Sequence, residues 1–159
     1  MPEFFPDTDG EVTQAGVPVG YYELDPFTQG YIAAMFFTCG NESGTLPGPN
    51  CDENGQGDDV DVGFSDLAPE ALAEIINDCR RFFDSNLELI EQACKHGGYK
   101  GEYDEERAGS DFWYTRCGHG VGYWDRGLPD GIGDALSDAA SKCGNVDLEL
   151  GDDGKVYLL

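Results

Sequence analysis

SDLAPEALAEIINDCRRFFDSNLELIEQACKHGG, residues 65–98, is the stretch on which the reading of the fold turns. Leu72, Ile75, Ile76, Cys79, Phe82, Phe83, Ile90, Ala93 and Cys94 recur at steps of three and four, which gathers them on one side of an α-helix. Asp66 or a neighbour serves as N-cap, Pro69 lies in the first turn, and Gly97–Gly98 end the run. A helix of about 27 residues is about 40 Å long, enough to form the spine of a core. On its outer side Glu70, Glu74 and Asp78 follow at i, i+4 steps, and Asp84, Glu88 and Glu91 form a second acidic row.

Outward from this spine the local signals are capping and turn chemistry. In DPFTQGYIAAMFFTCG, Asp25 is a good N-cap, Pro26 suits the first helical position and Gly40 stops the run, which predicts a helix over 26–38. In YDEERAGSDFWYTRCGHG, alternation around Phe112 and Tyr114 would suit a strand. Asp104 as N-cap, Glu105 and Glu106 at the positive end and Arg116 at the negative end favour a helix over 105–116. In LPDGIGDALSDAASKCGN, Asp130 caps, Ile132, Ala135, Leu136, Ala139, Ala140 and Cys143 face inward, and Gly144 terminates. VDLELGDDGKVYLL places two alternating runs around Asp-Asp-Gly, a β-hairpin, and VGYWDR is a candidate third strand.

Residues 1–24 read as an irregular acidic arm with one short strand in VPVGYYEL. Residues 25–159 read as a single α+β domain, mainly helical, with about four helices, one of them long and central, and a small antiparallel sheet that includes the C-terminal hairpin. Segment 40–63 is an acidic, Gly- and Pro-rich loop, long for a compact domain. Within it Asp52, Asn54, Gln56 and Gly57 fall into calcium-loop register, but the twelfth position is Gly63 instead of Glu. A solvated acidic loop is the expectation, with no metal site and no cofactor.

The net charge is −23 and it is unevenly placed: 16 Asp and Glu precede Arg80, the first base in the chain. Direct nucleic-acid binding is thereby disfavoured, since phosphate contacts need Lys and Arg, and so is adhesion to an anionic membrane. YIAAMFFTC, the longest apolar segment, is far short of a membrane span. Six cysteines occur without a C-x-x-C pair, and MPEFFPDTDGE lacks the basic start and long apolar run of a secretory signal. Free thiols and a cytoplasmic location are expected.

The densest chemistry lies in TRCGHGVGYWDRG, residues 115–127. As a reactive site, His119 would transfer protons, Asp125 would orient it, and Arg116 or Arg126 would hold an anion, with Gly118, Gly120 and Gly122 admitting a ligand to the backbone. No nucleophile with a partner accompanies them, and the glycine spacing is neither a P-loop nor a dinucleotide fingerprint. As structure, Gly118 makes the left-handed turn after a helix, Gly120 and Gly122 let the chain cross close to the core, Tyr123 and Trp124 plug it, and the arginines neutralise carboxylates. The structural reading is the favoured one.

FTQGYIAAMFFT, APEALAEIINDCRRFFDSN, GSDFWYTRCGHGVGYWDRG and GNVDLELGDDGKVYLL together resemble a family of small acidic proteins of tailed phages and related mobile elements. The family hallmark is D-F-W-x-T-R-x-G-H-G-x-G-[F/Y]-W-D-R, matched by Asp111 through Arg126. The resemblance spans most of residues 25–159; Cys117 stands where Asn is expected, and the loop around Cys51 is long. It implies a viral protein made in the cytoplasm of an infected bacterial host, and it assigns no site residues.

Two functions are therefore expected to compete. The first is a non-enzymatic binder or inhibitor of a basic host protein that handles nucleic acid, by DNA mimicry or anti-defence. Its acidic face would comprise Glu70, Glu74, Asp78, Asp84, Glu88 and Glu91, supported by Asp58, Asp59 and Asp61. Successive i, i+4 acids lie about 6 Å apart along a helix, comparable in scale to the phosphate repeat of one strand. The second is a small enzyme or anionic-ligand-binding protein centred on Gly118–Arg126.

Overall fold

Two helices that carry a glycine at their crossing set the architecture. In the computed structural model, which describes residues 8–40, 43–48, 53 and 57–159, helix α1 spans Pro26–Thr38 and helix α4 spans Glu105–Arg116. Asp25 caps α1 by accepting from the Thr28 amide at 2.9 Å, and Asp104 caps α4 by accepting from the Arg107 amide at 2.9 Å. Both spans match the capping argument. The helices meet where a Cβ on Gly30 would collide with the Glu106 carbonyl and a Cβ on Gly109 with the Phe27 carbonyl. Absent side chains at both points let the backbones touch. The Ser110 hydroxyl then donates to the Gly30 carbonyl at 3.0 Å, and the Trp113 indole to the Thr38 hydroxyl at 2.8 Å.

Beneath this pair lies α2, Pro69–Ser85, which buries Leu72, Ile75, Cys79 and Phe82. Phe82 stacks on Phe112 of α4 with ring centroids 4.1 Å apart and planes at 12°, and Phe27 and Tyr123 extend the aromatic column. The single long spine is not continuous. It breaks at Asn86, whose backbone (φ −123°, ψ 21°) leaves the helix, and α3 begins anew over Leu87–His96. The Asn86 side-chain amide donates to the Phe82 carbonyl at 2.9 Å, the local bonding by which Asn competes with helix continuation. About four expected helices thus become five among the described residues, the last being α5 over Ile132–Ser141.

Among the described residues three two-stranded antiparallel sheets decorate the bundle. β1 (Glu11–Gln14) pairs with β2 (Val17–Gly20) in the region read as an irregular arm with one strand. Its two-residue turn, Ala15–Gly16, has φ of 50° and 82°, the left-handed pair that suits a tight hairpin. β3 (Thr45–Pro47) pairs with β4 (Asp59–Asp61), giving the long loop an ordered base. Asp52, Asn54 and Gln56 of the calcium-loop register lie outside the described residues. β5 (Leu148–Leu150) pairs with β6 (Val156–Leu158), the hairpin expected around Asp-Asp-Gly. Val156, fully buried, carries it onto the start of α2, where its carbonyl accepts from the Ala68 amide at 2.9 Å.

Other details depart from the local signals. Neither Asp66 nor Asp130 caps the helix expected of it: Asp66 closes the 3-10 turn Phe64–Asp66 by accepting from the Gly63 amide at 2.9 Å, Ala68 precedes α2, and Gly131, at φ 80°, precedes α5. Cys143, expected inward, is exposed, and VGYWDR forms a single 3-10 turn over Tyr123–Asp125 instead of a strand. The five described cysteines are free thiols. No described helix is long and apolar enough to cross a membrane.

Candidate functional site

The segment from Asp111 to Arg126 joins the last turns of α4 to the 3-10 turn, and its four chemical side chains part company. Arg116 goes inward. Its Nε donates to the Gly144 carbonyl at 2.9 Å and its Nη2 to the Cys143 carbonyl at 3.0 Å, closing the C-terminal end of α5. Its Nη1 reaches the Tyr31 hydroxyl at 3.2 Å and Asp78 at 3.1 Å, and the guanidinium lies 5.2 Å above the Phe112 ring. A cation over an aromatic face, with carbonyls around its fork, is a favourable way to bury arginine.

Arg126 makes the second internal pair. Its Nη2 donates to Asp111 Oδ1 at 2.7 Å and its Nε to the same carboxylate at 3.0 Å, while the Tyr103 hydroxyl donates to Oδ2 at 2.9 Å. Asp111 is fully buried. Burial pushes its carboxyl above the usual carboxylate range, against the opposing pull of Arg126 and Tyr103. Burial and the neighbouring Asp111 push the Tyr103 phenol well up, so it stays a donor.

His119 and Asp125 are both exposed, and neither side chain bonds the other. His119 stacks on Trp113 at 6.0 Å between centroids and 26° between planes, with Tyr114 edge-on at 6.3 Å. Partial burial there lowers its pKa. His119 lines a groove of about 640 Å³ together with Ala33, Ala34, Phe37, Tyr114 and Val121 and the acids Glu102, Asp104 and Glu106. Asp125 lines a separate pocket of about 260 Å³. Arg126 borders both cavities and Arg116 neither. The base, acid and cations of the reactive reading therefore do not converge.

The glycines follow the structural expectation in part. Gly118, at φ 70°, turns the chain after α4, and Gly122 passes so close to Thr115 and the Trp124 ring that a Cβ would strike both. A Cβ on Gly120 would meet nothing within 4 Å, so that glycine is required by its φ of 78° and not by a close crossing. Tyr123 is the plug: fully buried, it donates to the Ala108 carbonyl at 2.7 Å. Trp124 is not, being 48% exposed.

On the outer surface Glu70, Glu74, Asp84, Glu88, Glu91, Asp58, Asp59 and Asp61 are exposed. Asp78 departs from this group, because Arg116 draws it toward the core. Arg80 and Arg81 are also exposed on α2. At 100° per residue Arg81 falls within the stripe of Glu70, Glu74 and Asp84. The even acidic ladder expected along one helix is therefore interrupted twice, by an inward Asp78 and an outward Arg81, and the break at Asn86 divides what remains.

Sequence reasoning missed Tyr103 and Lys100, and met Asp111 only as part of a motif. A usable signal was present for Asp111: it stands beside Phe112 and between Ala108 and Thr115 on the apolar side of α4, where an acid requires a partner. The groove was not legible, because its lining comes from helices 70 to 80 positions apart, as the Ser110–Gly30 and Trp113–Thr38 bonds record. Among the described residues no cluster of His, Cys, Asp and Glu could hold a metal ion. Compared with family models, curated proteins and solved structures, the chain matches none of them.

Proposed function

We propose that the protein is a non-enzymatic binder that engages a basic partner, of the kind that grips nucleic acid, through its negative outer surface. One observation carries this reading: Arg116 and Arg126 are turned inward onto Asp78 and Asp111, while Glu70, Glu74, Asp84, Glu88 and Glu91 stay exposed. Each internal pair is neutral, so the whole net charge of −23 belongs to the rest of the molecule. A surface of that sign attracts cationic partners over distances of about a Debye length and raises their association rate. The interrupted ladder on α2 favours accumulated charge over rung-by-rung imitation of a phosphate strand.

The test is capture from a bacterial lysate by the immobilised protein across a salt series, with a quadruple Glu70, Glu74, Glu88, Glu91→Gln variant beside it. The reading expects a DNA-binding protein retained at low salt, released as salt rises and poorly held by the variant. A variant that captures the same protein equally well, or a wild type that captures none, overturns it. The catalytic alternative loses its support from Arg116, which is enclosed, and from His119 and Asp125, which face different cavities.

A further inference from the structure

The structure assigns a second, opposite kind of site: we propose that the pocket between the α3–α4 connection and Asp125–Arg126 binds a small phosphate monoester bearing hydroxyls, such as a sugar phosphate. Its volume is about 260 Å³, and Tyr99, Lys100, Glu102, Arg107, Asp125 and Arg126 line it. Three of the nine bases in a chain of net charge −23 meet at this one cavity, with the two carboxylates Glu102 and Asp125 beside them and Arg126 already paired to Asp111. It takes Asp125 and Arg126 from the reactive reading of the sequence and leaves out His119 and Arg116.

Arg126 is the prepared element. The fully buried Asp111 holds its Nε and Nη2, and Tyr103 fixes the same carboxylate from the other side. Its Nη1 is left without a protein acceptor among the described contacts, on a guanidinium whose plane is already locked. A donor held in place loses little freedom on binding an oxyanion. Lys100, exposed and beside it, supplies a mobile charge. These two are the donors that the site requires; Arg107 adds positive potential.

The wall is built rather than loose. Gly97, Gly98 and Gly101 have φ of 85°, 70° and 71°, so the connection curls in a conformation that side-chain-bearing residues resist. The Tyr99 amide donates to the Arg126 carbonyl at 2.9 Å, fastening the curl to the opposite wall, and the Tyr103 amide donates to the Gly97 carbonyl at 3.0 Å, closing the curl on itself. The Tyr99 ring lies against Gly127, where a Cβ would strike it. This flat surface, 80% exposed, is available to the organic part of an ester. Glu102 and Asp125 would repel a bare anion but accept hydrogen bonds from its hydroxyls, which selects a hydroxylated ester over phosphate alone. The cavity falls just below the range of roughly 300–1,000 Å³ that suits drug-sized ligands, so the ligand is small.

NMR titration of the full chain with ribose 5-phosphate, and separately with inorganic phosphate, at constant ionic strength against sodium chloride, tests the site. The expected result is saturable shifts of the Arg126 Nε–H and of the Gly98–Lys100 amides, tighter for the ester than for phosphate. Lys100→Gln, an exposed substitution that leaves the fold intact, should weaken binding on the order of tenfold. Shifts that fail to saturate, that chloride reproduces, or that Lys100→Gln leaves unchanged would overturn the proposal. Inorganic phosphate binding as tightly as the ester would overturn the assignment of Glu102 and Asp125. None of these outcomes bears on the outer acidic surface, whose residues the variant does not touch.

Discussion

The segment from Asp111 to Arg126 and the outer surface of α2 and α3 use charge in opposite ways. In the first, each arginine is matched to one carboxylate, and Arg116 is further surrounded by carbonyls, a hydroxyl and a ring, so charge fixes the geometry of the core. In the second, exposed carboxylates stand in water and outnumber the exposed Arg80, Arg81 and Lys95 on the same helices, so charge does little for the fold and its excess is available to a partner. A carboxylate's role here follows its burial and its partner, not its place in an acidic row. Asp78 shows this within a single helix: it belongs to the row by spacing and to the core by contact.

The largest effect is expected from Asp111→Ala. Removing the buried carboxylate takes away the acceptor of both Arg126 and the Tyr103 hydroxyl, at a cost of about 1.5–3 kcal/mol. Urea denaturation should record that loss, and a loss below about 1 kcal/mol would mean that the internal pair does not hold the segment. Next in size is Gly109→Ala, which forces a methyl against the Phe27 carbonyl and wedges α1 from α4. Overpacking of this kind costs about 1–3 kcal/mol. A calorimetric midpoint equal to that of the wild type would show that the crossing can relax, and would remove the geometric reason for the glycine.

A smaller effect follows from His119, whose partial burial against Trp113 lowers its folded pKa. Its unfolded value is about 6.5, so between the folded and unfolded values the unfolded state binds more protons and stability rises with pH. Put in the other direction, the contribution of His119 is complete above about 6.5 and is lost as pH falls through the folded value. An NMR titration of the imidazole should give a midpoint below the ordinary one, and a midpoint at or above it would dissociate His119 from the Trp113 ring. Smallest of all for the fold is the double change Glu70, Glu74→Gln. Both side chains are exposed, and stability should stay within about 0.5 kcal/mol. A destabilisation well beyond that in urea would erase the contrast between the two regions.

Particular elements show how far the sequence could be read. Helices α1 and α4 were legible because Asp25 and Asp104 cap by bonds to amides only three residues away. The C-terminal hairpin was legible from Asp-Asp-Gly, where Gly154 has φ 80°. The break at Asn86 was hidden because the apolar period continues through it, and the Asn86 backbone and its side-chain amide bond to Phe82 mark the interruption. Of the candidate site, the four residues of the reactive reading were found as a cluster along the chain, yet they line two cavities or none. The Gly30–Gly109 crossing was hidden as well, since a glycine inside a helical pattern does not announce what approaches it.

Amino-acid order alone determined the helix limits at α1 and α4, the terminal hairpin and the large excess of acid, because caps, turns and composition act over a few residues or none. Tertiary structure decided which charges turn inward. Asp78 meets an arginine 38 positions away, and Asp111 one 15 positions away across a turn. The penalty for desolvating a carboxylate, and the bonds that offset it, exist only once those distant segments are packed together.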